Sequence, residues 1–281
     1  MTAPFLHMMN SCNGFIDPAE MGDTGKELAT RYQAAEPFPS IMIDDFLPAG
    51  LADLMLARFG SKNSSDDLNE SFNRAQERLK MSYHPDIMHD EARTIFYALN
   101  SRPFIRVIEN ITGIKGLIPD PYFLGAGFHE IRNGGHLSIH ADFNHHKPMN
   151  LERRVNLLIY LNKGWEEEYG GQIELWTDDM REKAKSWSPA FNRCVIFNTT
   201  SNSMHGNPQT VQHPLGISRK SIALYYYTST WDRTKRSHTT QFQVRHGTAD
   251  KVDWSVKMRE WREDFFPPIL ARALNKARHQ K

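Results

Sequence analysis

The chain has 281 residues, of which 40% are hydrophobic and 24% charged, enough for one domain with a substantial core and extensions. Its 34 basic and 33 acidic residues nearly cancel, so charge gives no case for a nucleic-acid partner. Two distant cysteines, Cys12 and Cys194, do not form a disulfide framework. The N-terminus lacks a basic region followed by an apolar one, and no apolar run approaches about 18 residues. We therefore expect a soluble, cytoplasmic protein without a membrane segment.

The N-terminal part of the chain is predicted to contain an extension, a short strand and several helices. Residues 1–36 mix polar residues with Gly, Pro and Asn and indicate an irregular extension. A strand is predicted over 38–44 and a helix over 51–59, where apolar residues recur at helical spacing. Residues 61–80 are polar and are expected to form a loop or an exposed helix. A helical pattern over 86–112 is broken into two helices by a proline.

The middle of the chain, residues 122–230, contains short apolar runs separated by glycine-containing turns. This spacing is typical of a β-sandwich or barrel. After residue 231 the chain becomes polar, and a helical tail is predicted from about residue 255. The expected organisation is an N-terminal extension over 1–36, one domain over 37–230 with core strands over about 121–230, and a C-terminal helical extension over 231–281.

A His-x-Asp segment and a distant histidine form the strongest chemical signal. His140 and Asp142 are two residues apart, so on a β-strand their side chains project to the same face and can hold one ion. His205 follows the apolar run 193–197, which predicts its position on a neighbouring strand. Two imidazoles and one carboxylate on one face of a metal leave the other face open, as in non-haem Fe(II) oxygenases. We therefore predict these three residues to be metal ligands and catalytic.

Further motifs accompany these three residues. In chain order they are His140-Ala141-Asp142, Arg154-Val155-Asn156-Leu157-Leu158-Ile159-Tyr160-Leu161-Asn162, Trp165, Gly170-Gly171, His205-Gly206, Arg219-Lys220-Ser221 and Tyr225-Tyr226-Tyr227. Their order resembles the iron- and 2-oxoglutarate-dependent dioxygenases, and within them the prolyl-4-hydroxylase-like branch, over about residues 38–230. The resemblance implies a double-stranded β-helix, a jelly-roll or cupin-like core, with helices packed on one side. It also implies Fe(II), 2-oxoglutarate and O2, with ascorbate as a stimulant.

The resemblance places a co-substrate anchor at Arg219. In the family a basic residue after the distal histidine pairs with the far carboxylate of 2-oxoglutarate, and a guanidinium suits a carboxylate because it offers two parallel hydrogen bonds. Ser221 shares the strand face of Arg219 and is a second candidate. The resemblance also implies a tyrosine hydroxyl near the co-substrate, which here is that of Tyr160. Asn156 lies four residues earlier on the same strand face and is a weaker candidate for a co-substrate contact.

The implied reaction is hydroxylation of an unactivated C–H bond with release of succinate and CO2. A carboxylate at Asp142 favours hydroxylation, because related halogenases have a small residue at that position. We slightly favour a small-molecule substrate, such as an amino acid or other metabolite, because the extensions suggest a covered pocket. A peptidyl (prolyl) hydroxylase is the alternative, and a non-catalytic jelly-roll module that binds a metal or ligand is a second.

Candidate substrate contacts are weaker predictions. His136, Asn144 and Trp231 are candidates because the first two lie near the metal motif and the third follows the last core strand. A small acidic substrate would need a second cation, for which Arg132, Arg153 and Arg154 are candidates. A zinc or nickel site built from His136, His140, His145 and His146 is also conceivable, but these spacings fit less well than the facial triad. Oligomeric state is not indicated.

Overall fold

The computed structural model describes residues 3–10, 15–60, 68–232, 234–248, 250 and 254. The helical tail expected from about residue 255 and Cys12 lie outside these residues. The helices are α1 (Ala29–Gln33), α2 (Ala49–Ala57), α3 (Asp90–Leu99) and α4 (Arg102–Thr112), with short 3-10 turns at Pro18–Met21, Lys26–Leu28, Pro85–Ile87 and Glu167–Tyr169.

Most strands belong to one antiparallel sheet that folds over on itself. In the described residues it contains thirteen strands, with the main order β11-β10-β13-β7-β14-β9-β12-β3. The strands are β1 (Met8–Asn10), β2 (Phe15–Ile16), β3 (Ser40–Ile43), β4 (Asn69–Arg74), β5 (Glu77–Tyr83), β6 (Ile118–Pro119), β7 (Gly127–Ala141), β8 (His145–His146), β9 (Leu151–Tyr160), β10 (Ile173–Trp176), β11 (Lys183–Trp187), β12 (Cys194–Asn198), β13 (Met204–Asn207), β14 (Arg219–Thr228) and β15 (Gln241–Phe242).

The long strand β7 connects the two layers of the fold. Its first half pairs with β14, where Ile131 lies opposite Arg219. Its second half pairs with β13, where His140 lies opposite His205. One strand therefore contributes to two facing layers, and the cavity between them lies beside it. This is the double-stranded β-helix that the family resemblance implied.

The helices pack against the outer face of the larger layer, as expected. Along β14 the side chains alternate between the two faces, so Ile222, Leu224 and Tyr226 join the core under the helices. The Tyr226 hydroxyl donates a hydrogen bond to the Leu99 carbonyl at the end of α3 (2.8 Å). The alternate residues of β14, including Ser221, face the space between the layers. Strand alternation thus separates the structural core from the cavity.

The helices predicted in the N-terminal half are confirmed as α2, α3 and α4, but the prediction for 61–80 is wrong over the residues that the structure describes. Strands β4 and β5 form a hairpin there, and β5 pairs with β7. Their sequences are polar because the hairpin covers an edge of the barrel and buries few of its side chains. Such strands form through backbone pairing with a neighbour, which local hydrophobic patterning does not reveal.

The N-terminal segment packs against the core. Leu6, Ile16 and Tyr32 are buried in the same cluster as the helices and the larger sheet layer. The Tyr32 hydroxyl donates a hydrogen bond to Asn198 Oδ1 (2.8 Å) at the end of β12. Of the helices that the structure describes, none combines the length and apolarity needed to cross a lipid bilayer.

Candidate active site

The predicted metal ligands converge between β7 and β13. Ligand atoms of His140, Asp142 and His205 all lie within 4.8 Å of one another. His140 Nε2 is 3.6 Å from Asp142 Oδ1, and His205 Nε2 is 3.2 Å from Asp142 Oδ2. Both imidazoles are buried. The arrangement brings together the three residues that the sequence selected.

Backbone carbonyls fix the tautomer of both imidazoles. His140 Nδ1 is 2.8 Å from the Ser138 carbonyl, and His205 Nδ1 is 2.9 Å from the Ser203 carbonyl. A carbonyl only accepts hydrogen bonds, so each Nδ1 donates and each Nε2 keeps its lone pair. Burial also lowers the pKa of His205, which favours the neutral ring. Two nitrogen lone pairs and a carboxylate therefore face one another, and a divalent cation fits this donor set.

A glycine after the distal histidine allows β13 to approach β7 closely. A Cβ at Gly206 would lie 2.7 Å from the Ser138 carbonyl oxygen and 2.9 Å from that of Leu137. Any side chain at this position would push the strands apart. Gly206 therefore helps to bring His205 opposite His140.

A buried arginine and an amide hold the Asp142 carboxylate. Asp142 Oδ2 accepts a hydrogen bond from Asn156 Nδ2 (2.6 Å) and lies 3.0 Å from Arg153 Nη2. The Arg153 guanidinium lies 3.5 Å from the Tyr225 ring centroid and 4.4 Å from that of Phe143. It also donates to Asn156 Oδ1. Asn156, a candidate co-substrate contact, thus has both ends of its amide engaged, and Arg153 is an ion-pair partner rather than a free cation.

The surrounding charges set the ionisation of Asp142. Burial would raise the pKa of this carboxyl, but the Arg153 charge outweighs it and holds that pKa well below its usual range. Asp142 is therefore ionised at neutral pH, as a metal ligand must be.

His140, Asp142 and His205 are called the metal group below. A cavity of about 70 Å³ extends from it to Arg219. Arg219 is buried, and its Nε donates a hydrogen bond to the Gly171 carbonyl (2.7 Å). Gly171 has φ of +72°, and a Cβ there would lie 2.8 Å from Arg219 Cδ, so only glycine leaves room for the arginine. The Tyr160 ring centroid is 4.8 Å from the guanidinium carbon. Ser221 also lines the cavity.

The Arg219 end of the cavity contains polar groups that the described residues satisfy only in part. Burial lowers the pKa of Arg219, and no carboxylate from the described residues offsets this. The Tyr160 hydroxyl is buried and has no hydrogen bond of standard geometry within the described ranges. Burial raises the pKa of Tyr160 to about 12, so this hydroxyl keeps its proton. An anionic ligand would satisfy both groups.

The sequence did not identify three polar residues that line the cavity, namely Lys80, His129 and Asn207. His129 Nε2 is 3.0 Å from the Gly125 carbonyl. Asn207 could have been identified, because it follows His205 by two residues and shares its strand face. Lys80 and His129 reach the cavity through the pairing of β5, β7 and β14, which the sequence alone did not reveal.

The three candidate substrate contacts lie outside the cavity lining. His136 Nε2 is 3.1 Å from the Ala75 carbonyl in the β4–β5 turn. Asn144 Nδ2 donates to a backbone carbonyl of the C-terminal segment (3.0 Å). The Trp231 ring stacks on His145 with centroids 4.0 Å apart. Each side chain is engaged by a nearby segment, so direct substrate contact by these residues stays a prediction.

The alternative four-histidine metal site does not form. Among the described residues, the metal-binding group contains only His140 of the four. His146 is buried, and its Nε2 lies 3.0 Å from Asp120 Oδ1. That contact is structural.

Comparison with known proteins agrees with this geometry. Residues 126–227 match the model of the 2OG-Fe(II) oxygenase superfamily. No curated protein matches the chain significantly. A prolyl hydroxylase from Trichoplax adhaerens, solved with a peptide fragment of hypoxia inducible factor, shares the fold at 15% identity. Its TM-score is 0.51, and the likeness covers 75% of this chain and 92% of that one.

Two further solved structures are similar at lower TM-scores. A prolyl-4-hydroxylase from Pseudomonas putida is 18% identical, with a TM-score of 0.48 over 72% of this chain and 98% of its own. HygX from Streptomyces hygroscopicus, solved with nickel and 2-oxoglutarate, is 9% identical, with a TM-score of 0.46 over 73% and 87%.

The fold, the His-Asp-His group and the superfamily match define an oxygenase domain with the fold of the prolyl hydroxylases. Residues 126–227 therefore form a 2OG-Fe(II) oxygenase domain, and the protein is a dioxygenase that uses Fe(II), 2-oxoglutarate and O2.

Proposed function

We propose that this dioxygenase hydroxylates an unactivated C–H bond of a small molecule, such as an amino acid or another metabolite. The observation that carries this proposal is a cover over the metal group. Strand β15 pairs with the end of β7, with Phe242 opposite His140. The Phe242 and His140 ring centroids are 5.4 Å apart, and the Arg74 guanidinium carbon lies 5.5 Å from the Phe242 ring centroid. The β4–β5 hairpin and the segment after the core strands therefore meet beside His140.

A covered site favours a substrate that can be enclosed. An extended peptide needs an open groove or a free sheet edge, whereas small ligands are mostly buried in concave sites. In this structure β15 occupies the edge of β7 next to His140. A small molecule enters such a site with less rearrangement than a peptide does.

In this proposal His140, Asp142 and His205 hold Fe(II) through their inward-facing nitrogen and carboxylate atoms. Arg219 pairs with the far carboxylate of 2-oxoglutarate, with Ser221 and Tyr160 beside it. Bound iron and 2-oxoglutarate together activate O2 for C–H oxidation, with release of succinate and CO2. The chain itself fixes the imidazole tautomers, keeps Asp142 ionised and orients the co-substrate.

The test begins with metal-free protein and no added substrate. Anaerobic addition of Fe(II) and 2-oxoglutarate should give the weak visible charge-transfer band of the chelate, and air should then give succinate. Asp142→Ala should give neither signal, whereas Asp178→Ala, which removes an exposed carboxylate, should behave as wild type. Absence of band and succinate in the wild type would contradict the proposed site.

The substrate class is then tested by stimulation of succinate formation. Free amino acids and other small metabolites are compared with proline-containing peptides at equal concentration. We expect a small molecule to increase turnover with matching formation of a hydroxylated product. Stimulation by peptides alone would replace the small-molecule proposal with a peptidyl hydroxylase.

A further inference from the structure

An amide without a hydrogen-bond partner lies in the cavity wall between the metal group and Arg219. Asn207 is 2% exposed and lines the cavity. Its Nδ2 is buried and has no hydrogen-bond partner among the described residues. Buried amide groups are nearly always bonded, so this unpaired one, on a residue that lines the cavity, is available to a ligand.

The position of Asn207 relates it to both ends of the cavity. It follows His205 by two residues on β13, which places the two side chains on one face, about 7 Å apart along the strand. Beyond β13, the Gln209 carbonyl accepts a hydrogen bond from Gly171 N (3.2 Å). The Gly171 carbonyl in turn accepts from Arg219 Nε. Asn207 is therefore displaced from the metal group toward the arginine.

We propose that Asn207 binds the far carboxylate of 2-oxoglutarate from the β13 layer, opposite Arg219 and Ser221 on β14. This inference rests on the proposed co-substrate site. The strand spacing from His205 to Asn207 suits a five-carbon dicarboxylate that chelates the metal at one end. A side-chain amide exchanges its oxygen and nitrogen by rotation about its last bond, so its NH2 group can turn to an anion in the cavity.

A neutral donor at this position contributes selectivity. Arg219 supplies the positive charge, and the amide adds a directional hydrogen bond that only an acceptor can satisfy. A 2-oxo acid with a methyl group in place of the far carboxylate would leave the amide unpaired. Sites with buried hydrogen-bonding groups reject analogues that lack the matching group. Asn207 thus increases the preference for 2-oxoglutarate over shorter or monocarboxylic 2-oxo acids.

The test measures ligand binding without turnover. Protein loaded with Mn(II) under anaerobic conditions is titrated by calorimetry with 2-oxoglutarate and with 2-oxovalerate, which has the same carbon chain but lacks the far carboxylate. Asn207→Ala should raise the Kd of 2-oxoglutarate about 10-fold, the effect of one hydrogen bond to a charged group. The Kd of 2-oxovalerate and of Mn(II) should change by less than about 2-fold. Asn202→Ala, at an exposed site before β13, is the matched control.

Two further variants keep the proposal falsifiable. Asn207→Asp should weaken 2-oxoglutarate more than Asn207→Ala, because it places a negative charge beside the carboxylate. Asn207→Ser keeps a short donor and should give an intermediate Kd even if the alanine variant folds poorly.

The outcomes separate this inference from the proposed function. An unchanged Kd for 2-oxoglutarate in Asn207→Ala, or equal weakening of both 2-oxo acids, would overturn the role of Asn207 while the co-substrate site stands. If wild-type protein failed to bind 2-oxoglutarate, the proposed co-substrate site would fail, and this inference with it.

Discussion

The two ends of the cavity differ in how far the protein satisfies its own polar groups. At the metal end the Nδ1 atoms of His140 and His205 are hydrogen-bonded to backbone carbonyls. Asp142 Oδ2 is bonded to Arg153 and Asn156. At the other end Arg219 has no carboxylate partner among the described residues, and the nearby Tyr160 hydroxyl and Asn207 amide lack standard hydrogen bonds there.

This difference supports a different proposed ligand for each end. The metal end directs lone pairs and a carboxylate inward and supports them from behind, which favours a cation. The Arg219 end directs positive charge and hydrogen-bond donors inward, which favours an anion. A cavity with a cation site at one end and an anion site at the other suits a metal-chelating co-substrate with a distant carboxylate.

Removal of Asp142 should have the largest effect. Asp142→Ala deletes the only carboxylate of the metal group and leaves Arg153 unpaired, so Fe(II) affinity should fall by more than the roughly 10- to 100-fold typical of losing an outer partner. Succinate formation should disappear with it. Metal titration followed by a succinate assay tests this expectation, and full activity in Asp142→Ala would show that the metal lies elsewhere.

Removal of Arg219 should affect the other end alone. Arg219→Leu should raise the Kd of 2-oxoglutarate by about 10- to 150-fold, equivalent to roughly 1.5–3 kcal/mol for hydrogen bonds to a charged group. Arg219→Lys should recover part of this affinity, because it restores charge without the bidentate geometry. Calorimetric titration measures both values. If Arg219→Leu lowered the affinity for Mn(II) as much as the affinity for 2-oxoglutarate, the two ends of the cavity would not act separately.

Arg153 tests whether the metal end depends on its supporting cation. Arg153→Met leaves a buried carboxylate without its ion-pair partner. In typical buried pairs this lowers the free energy of unfolding by about 3–5 kcal/mol. The loss should be largest in metal-free protein and smaller with Mn(II), since the metal also neutralises Asp142. Urea unfolding in both states measures it. Arg154→Met, at the next and half-buried position, is the matched control, and equal losses in the two variants would refute a specific role for the pair.

The sequence predicted the parts of this site that depend on strand alternation. His140 and Asp142 share a face because they are two residues apart, and the same rule relates Arg219 to Ser221. The apolar run before His205 forms β12, and His205 lies on the next strand, β13, which pairs with β7 as expected. These relations are local, and the superfamily match and the His140, Asp142 and His205 cluster agree with them.

Features that depend on contacts between distant strands were not predictable. Lys80 reaches the cavity only because a polar hairpin pairs with β7, and nothing in its own segment indicates that pairing. Asn156 was correctly placed on the inner face of β9, but its bonds to Asp142 and Arg153 require the three-dimensional arrangement. Closeness to the metal motif in sequence does not bring the His136 side chain into the cavity lining, so its contact with substrate stays a prediction.

His129 provides the smallest and most specific test, because it lies between the two ends. Burial, with the nearby positive charge of Lys80, lowers its pKa to about 3. Between about pH 6.5, where an unfolded histidine titrates, and pH 3, the unfolded chain binds a proton that the folded chain does not, so stability should fall as the pH falls.

The contribution of His129 to this loss is at most about 1.4 kcal/mol per pH unit, and less for a ring that solvent partly reaches. His129→Gln should therefore flatten the dependence of unfolding free energy on pH between about 6 and 4. Urea unfolding of metal-free wild type and variant at several pH values measures the difference. Parallel curves would mean that His129 accepts a proton freely and that the Arg219 end carries less unbalanced positive charge than the structure indicates.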